Sequence, residues 1–258
     1  MKAAEMFNLT GRVALVTGAS SGLGQQFARA LADNGAAVAL VARRTDRLLD
    51  LQQEIEAAGG KAIAIEADVT DRAAMVAAFD AAEKAFGIVT ILVNNAGVAQ
   101  QSVRVTDVMP EEWRRVLGVD LDAVFYWAQE AARRMIAAKK PGAIVNIASE
   151  LGFGVSKGTA AYAVAKAAVV QTTKALSVEL ASRGVRVNAI APGWFVTEIN
   201  DKYLESEAGQ ALKREIPMGR FGNAGDLDGT LLLLVSDAGA YMTGSTVIVD
   251  GGQVVKIA

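Results

Sequence analysis

Short β-branched runs alternate with longer amphipathic stretches along the whole chain. Residues 13–17, 37–41, 62–66, 91–94, 143–148, 185–190 and 246–249 predict strands. Several are nearly continuous apolar runs, the pattern of strands covered on both faces. Between them, helices are predicted at about 23–34, 44–58, 71–86, 111–138, 160–182 and 224–236. Strand–helix alternation kept up to the end predicts an α/β fold, a parallel sheet with helices on both faces. The four prolines, Pro110, Pro141, Pro192 and Pro217, fall at boundaries between these elements. No Pro/Ser-rich linker, charge block or repeat beyond the strand–helix unit divides the chain, so residues 1–258 read as a single domain. The rhythm breaks once, from 194 to 222. A long excursion at the carboxyl end of a strand is where an open α/β sheet places a substrate loop.

Composition narrows the chemistry. With 52% apolar and 21% charged residues, the chain can fill a sizeable core, which excludes disorder. Its 26 Lys plus Arg against 28 Asp plus Glu leave a net charge of −2, which argues against nucleic-acid binding. There is no His and no Cys. That removes His- or Cys-ligated zinc, Ser-His-Asp triads and thiol nucleophiles. Proton transfer must fall to a carboxylate, a Lys or a Tyr. Residues 1–10 lack the apolar core of a signal peptide and no apolar run approaches membrane-spanning length, so the expectation is a cytoplasmic protein with no membrane partner.

The first predicted strand runs into Gly18-Ala19-Ser20-Ser21-Gly22-Leu23-Gly24 and then a helix. Amide N–H groups and the helix dipole at such a junction face an anion, and glycine lets phosphates approach closely. The spacing is Gly-x-x-x-Gly-x-Gly, and glycines so placed serve a plain tight turn equally well. After the second strand, where an NAD-binding unit carries an acid for the ribose 2′-hydroxyl, the chain has Ala42-Arg43-Arg44. Arg suits a 2′-phosphate through its planar fork; a solvated basic loop is the plainer alternative.

Tyr162 and Lys166 lie four apart in a predicted helix, on one face and about one turn from each other. A nearby ammonium favours the phenolate, so a Tyr can act as acid or base where no His exists. Ser149 follows the fifth predicted strand and can donate to an oxygen on which charge develops. Each element alone also arises from ordinary helix packing.

Taken together, Thr17-Gly-x-x-x-Gly-x-Gly24, Asp68-Val69, Asn94-Asn-Ala-Gly97, Ser149, Tyr162-x-x-x-Lys166, Pro192-Gly193 and the stretch 244–252 resemble the classical short-chain dehydrogenase/reductase family, from about residue 9 to 252. The resemblance implies a Rossmann-type doubly wound sheet of seven strands in the order 3-2-1-4-5-6-7. It implies NADP(H), or less readily NAD(H), bound without metal, and a homotetramer. Gly18, Ser20, Ser21, Gly22, Leu23 and Gly24 would lie around the diphosphate, and Asp68 and Val69 would flank the adenine. Asn95, Ala96 and Gly97 would border the cofactor ribose. Ile190 and Thr197, around Pro192-Gly193, would meet the nicotinamide end. Tyr162 would be the general acid for carbonyl reduction, Ser149 would polarise the carbonyl, and Lys166 would bind the nicotinamide ribose. Ala42-Arg43 matches the family's NADP pattern.

One position departs from the family. In the run Val119-Asp120-Leu121-Asp122-Ala123-Val124-Phe125, Asp120 stands where the family has Asn supporting a water relay to the active-site Lys. Asp accepts the same hydrogen bonds but donates none unless protonated. At about 6 Å from Lys166 and an effective dielectric near 20, an ionised Asp120 would attract the ammonium by roughly 3 kcal/mol. The substitution is either tolerated or shifts the pH optimum and weakens catalysis.

The expected substrate side comprises Glu150, Leu151, Gly152, Phe153 and Val155, closed over by Trp194, Phe195 and residues 200–216. This mainly apolar set suits a small-molecule ketone or secondary alcohol with hydrophobic substituents. Glu150 argues against a strongly anionic group beside the reacting carbon. The function expected is an NADP(H)-dependent carbonyl reductase or alcohol dehydrogenase. A 3-oxoacyl-[acyl-carrier-protein] reductase is the alternative enzyme, with Lys139, Lys140 and Arg183 as either a landing patch or ordinary solvated surface. A catalytically weak NADP-binding regulatory protein is the alternative of another class.

Overall fold

The computed structural model describes residues 2–198 and 200–256. Among them, strands β1 (Val13–Thr17), β2 (Ala37–Ala42), β3 (Lys61–Glu66), β4 (Ile91–Asn94), β5 (Gly142–Ile147), β6 (Val185–Pro192) and β7 (Thr246–Val249) form one sheet in the order β3-β2-β1-β4-β5-β6-β7. All neighbouring strands run parallel. This is the parallel sheet that the alternation predicts, in the doubly wound strand order that the resemblance implies.

β1, β4 and β5 are buried along their whole length because helices cover both faces. Ala14 and Val16 point into a core shared with α2 (Gly22–Asp33), α3 (Thr45–Ala57) and α10 (Asp228–Val235), through Phe27, Leu31, Leu48, Leu51, Leu231 and Leu234. Val13 and Leu15, one residue out of phase, point to the opposite core under α4 (Arg72–Phe86) and α6 (Ala123–Ala137). There Trp127 packs its ring 5.6 Å from that of Phe79 and donates its indole N–H to the Val69 carbonyl at 3.0 Å. Burying the ring thus leaves no unpaired donor.

The helix expected over 111–138 is divided. α5 (Pro110–Leu117) passes into a π-helical turn over Gly118–Asp122 before α6 begins, and the Ala123 N–H donates back to Gly118 O. The wider turn offsets the faces of the two helices. Val116 on α5 packs against Ala161 and Ala165 of α7 (Ala160–Leu180), while Ala123, Trp127 and Ala131 on α6 face the sheet.

The excursion after β6 contains two short helices that hydrophobic periodicity does not signal, α8 (Asp201–Glu205) and α9 (Glu207–Glu215). Gly209 lies inside α9 as a close-approach residue, since a Cβ there would meet Leu204 Cα at 2.6 Å. A further short helix, α1 (Ala3–Met6), precedes β1. Among the described residues no helix is long and apolar enough to cross a membrane.

Candidate active site

The carboxyl ends of β1, β2 and β4 build one half of the site. The chain leaves β1 through Gly18, at φ +67°, where a Cβ would meet Ala96 Cα at 2.8 Å; no other residue allows that approach. Thr17 Oγ1 accepts the N–H groups of Asn95 and Ala96 at 3.0 and 3.1 Å, and Asn95 Nδ2 donates to Thr17 O at 3.0 Å. These bonds lock the end of β4 to the glycine turn. The 12-residue helix α2 then starts at Gly22 with no side-chain cap, so its first N–H groups remain available to an anion.

The Arg44 guanidinium donates to Ser20 Oγ at 3.0 and 3.1 Å and to Ser21 Oγ at 2.6 Å. Arg43 has a side chain 73% exposed, 3.9 Å from Asp68. The sequence puts Arg43 first and Arg44 second; the structure seats Arg44 on the turn and leaves Arg43 in solvent. A guanidinium, two hydroxyls and an uncapped helix N-terminus make a donor set suited to a phosphate dianion. Nearby, Asp68 Oδ1 accepts both the N–H and the hydroxyl of Thr70, which fixes the acid where the chain leaves β3.

The other half rests on α7. Tyr162 and Lys166 stand one turn apart, with Nζ 5.5 Å from the tyrosine ring centre. Lys166 is buried; Nζ donates to Ile147 O at 3.0 Å and lies 3.1 Å from Asp120 Oδ1. Asp120, wholly buried in the π-helical turn, accepts the Val98 N–H on Oδ2 at 3.1 Å. The pair is in direct contact, at about half the separation expected from the sequence. Burial pushes the Lys166 ammonium down, but Asp120, with Tyr162 adding to it, outweighs burial and holds the group above the usual lysine range. Gly97 completes the fit, since a Cβ there would meet Asp120 Oδ1 at 2.7 Å.

Ser149 Oγ accepts the Leu151 N–H at 3.1 Å at the start of the turn Glu150–Gly152, leaving its proton free to donate elsewhere. Beneath the site, Asn94 Nδ2 donates to Val124 O and to Asn146 Oδ1, and Asn146 Nδ2 donates to Thr173 Oγ1, each at 3.0 Å. This buried chain ties β4 and β5 to α6 and α7. Gln100, which the sequence does not single out, accepts the N–H groups of Ala161 and Tyr162 at 2.8 and 3.2 Å. It caps the helix that carries Tyr162 from a loop 61 residues before Ala161, and no local pattern marks such a contact.

Toward the excursion, Phe153 is exposed and Trp194 stacks on Tyr203 with ring centres 5.8 Å apart. Phe195, expected on the substrate wall, is 5% exposed, and its ring packs where a Cβ on Gly222 would be 2.5 Å away. Its role in the structure is to anchor the base of the excursion. Thr197 packs against Gly22 of the glycine turn, and Glu198 pairs with Arg47 of α3, so the excursion bridges to the β1–β2 half. Pro192 ends β6, and the Gly193 N–H donates to Val249 O at 3.0 Å.

Burial, with Asp250 adding to it, raises the Glu150 carboxyl from its ordinary 4.5 to about 7. The fold prefers the neutral acid, so stability falls as the pH rises from about 4.5 through about 7 and stays lowered above it. The size of that loss is on the order of 3 kcal/mol. Glu150→Gln should therefore melt higher than the wild type at about pH 8 and match it at about pH 4. Melting curves that keep a constant separation across this range would contradict the raised acid.

The family described as Enoyl-(Acyl carrier protein) reductase matches residues 18–253. The chain is 42% identical over 250 residues to the 3beta-hydroxysteroid dehydrogenase 1 of Eggerthella lenta, covering 95% of each protein. It is also 42% identical to the galactitol 2-dehydrogenase (L-tagatose-forming) of Cereibacter sphaeroides, covering 97% of this chain and 98% of that one. Its structure is similar to the crystal structure of a gluconate 5-dehydrogenase from Burkholderia cenocepacia in complex with NADP and tartrate, with a TM-score of 0.94 at 36% identity and coverage of 99% and 100%.

Proposed function

The chain belongs to the short-chain dehydrogenase/reductase family, and from that premise we propose that it interconverts a ketone and a secondary alcohol with NADP(H), using Tyr162 as the general acid and base. The observation that carries this reading is the geometry around Lys166. A buried ammonium, fixed by Asp120 and the Ile147 carbonyl, stands one helical turn from the tyrosine.

When bound, NADP(H) supplies or accepts the hydride at the reacting carbon. The glycine turn and the start of α2 would hold its diphosphate, and Arg44, with Ser20, Ser21 and the exposed Arg43, would bind the 2′-phosphate. Asp68 and Val69 flank the adenine, and Asn95, Ala96 and Gly97 border the ribose. Ser149, its lone pair engaged by Leu151, donates to the substrate oxygen. Tyr162 gives that oxygen its proton in reduction and removes it in oxidation. Lys166 orients the ribose. Asp120 holds Lys166 charged and in place.

The test is NADPH consumption, run in parallel with NADH, against ketones and an acetoacetyl thioester, with galactitol, gluconate and cyclohexanol in the oxidative direction. Turnover that favours NADPH is expected. Tight cofactor binding with no turnover on any of these would favour a regulatory protein, and turnover confined to the thioester would favour the acyl-carrier reductase.

Asp120→Asn should keep the fold, because the amide still accepts the Val98 N–H. It removes the carboxylate that outweighs burial and holds the Lys166 ammonium above the usual lysine range. The pH above which activity falls through loss of that ammonium should therefore move down. Superimposable pH–rate profiles for the two proteins would refute the electrostatic role of Asp120.

A further inference from the structure

Glu150 directly follows Ser149, and its side chain is the one buried carboxyl beside the catalytic turn that nothing in the proposed mechanism uses. It is 6% exposed, and Oε2 has no hydrogen-bond partner among the described residues. A buried carboxyl left unpaired costs free energy, and such a group persists where a ligand completes it. Three elements meet around the turn that carries it. The turn Glu150–Gly152 packs on α7 so closely that a Cβ on Gly152 would meet Lys166 O at 3.0 Å. Gly193, at the root of the excursion, would place a Cβ 3.0 Å from Glu150 Oε2 and 2.7 Å from Asp250 Cβ. Asp250 closes the third side with both oxygens engaged, accepting the N–H groups of Gly252 and Val254.

Asp250 therefore repels the Glu150 carboxylate and offers it no donor. The absence of a side chain at Gly193 leaves room for the carboxyl between the catalytic turn and the excursion. Of the elements packed there, β7 leads to Asp250, and α7 carries Lys166 and Tyr162. Lys166 is already committed to Asp120 and Ile147.

Resting on the ketone–alcohol reading above, we infer that Glu150 is a specificity-determining residue that takes a hydroxyl of the substrate chain near the reacting carbon, so that the substrate class is a neutral polyhydroxylated alcohol or ketose. A hydroxyl can donate to the carboxylate or accept from the acid, so it fits either protonation state. Above about pH 7 a substrate carboxylate at the same place meets two like charges, Glu150 and Asp250, and is rejected. An unfunctionalised hydrocarbon leaves the carboxyl unpaired and gains nothing from it. Phe195, withdrawn into the base of the excursion, removes part of the apolar wall that a hydrophobic substrate would use.

The test compares wild type, Glu150→Gln and Glu150→Ala with saturating cofactor on galactitol, gluconate and cyclohexanol. Two readouts are taken, kcat/KM and the dissociation constant from quenching of tryptophan fluorescence. Glu150→Gln should raise the gluconate-to-galactitol ratio by about tenfold or more, because the amide keeps a hydrogen bond and drops the charge. Glu150→Ala should lower the galactitol-to-cyclohexanol ratio by about ten- to a hundredfold. In the wild type, the relative rate on gluconate should rise as the pH falls through about 7 and be flat in Glu150→Gln. Unchanged ratios in both variants overturn the inference, whether or not melting temperature moves, and assign Glu150 to packing against Asp250. A wild type that prefers cyclohexanol to galactitol overturns it too. Failure to turn over any ketone or alcohol sinks the enzymatic reading instead, and the binding ratios then still decide the claim for Glu150.

Discussion

Tyr162→Phe is expected to fold, to bind NADPH as the wild type does, and to lose turnover by roughly 10²–10⁴-fold, the usual share of a positioned acid or base. The substitution removes one hydroxyl and keeps the ring, which packs beside Val116, Ala161 and Ala165. The ion pair of Lys166 with Asp120 and the Gln100 cap on α7 involve other atoms, so the frame survives. Zero histidines in the chain leave no imidazole to take its place. Steady-state rates with a competent ketone, alongside NADPH titration by fluorescence, separate the two effects. A variant that keeps most of its activity would remove Tyr162 from the mechanism, and one that loses cofactor affinity in step with turnover would make it a binding residue.

Arg44→Ala should weaken NADPH binding by roughly 10–150-fold, the worth of a charge-assisted bond of about 1.5–3 kcal/mol. NADH affinity should change little, since a 2′-hydroxyl carries no charge to lose. Two consequences follow from where the guanidinium sits. Its bonds to Ser20 and Ser21 orient both hydroxyls on the turn, so the loss at Arg44 exceeds one contact. Arg43 is exposed and pairs with Asp68 rather than with the turn, so Arg43→Ala should act in the same sense with a smaller amplitude. Titrating each variant with both cofactors tests the assignment. Equal losses for NADPH and NADH would make the arginines structural and withdraw the preference for NADP.

The sheet was legible because both of its faces are covered: buried parallel strands must be apolar throughout, and runs such as 13–17 and 91–94 have few other homes. The placement of Tyr162 one turn from Lys166 is legible through spacing, since a helix imposes a fixed geometry on residues four apart. The division between α5 and α6 was not, because a π-helical turn keeps hydrophobic residues at near-helical intervals and differs only in phase. α8 and α9 escaped notice because they are short and mostly polar, with few apolar positions from which to establish a period. The order of Arg43 and Arg44 depends on which way each side chain leaves the end of β2, and that direction comes from tertiary packing. The burial of Phe195 against Gly222 is hidden from the sequence for the same reason: Gly222 lies far along the chain and has no side chain to announce the contact.

The π-helical turn over Gly118–Asp122 also bears on any attempt to make the protein hardier. Replacing exposed residues of this region with strong helix formers, the usual first step of thermostabilisation, rewards a regular i to i−4 ladder. A ladder regularised through this turn would rotate Asp120 away from Val98 and Lys166 and strand a buried ammonium. Gains in melting temperature won here should thus come with lost activity, whereas the same substitutions on the outer faces of α3 or α4 carry no such conflict. The irregular turn is a place where local regularity was given up for function, and a library that spares residues 118–122 will search a more productive part of sequence space.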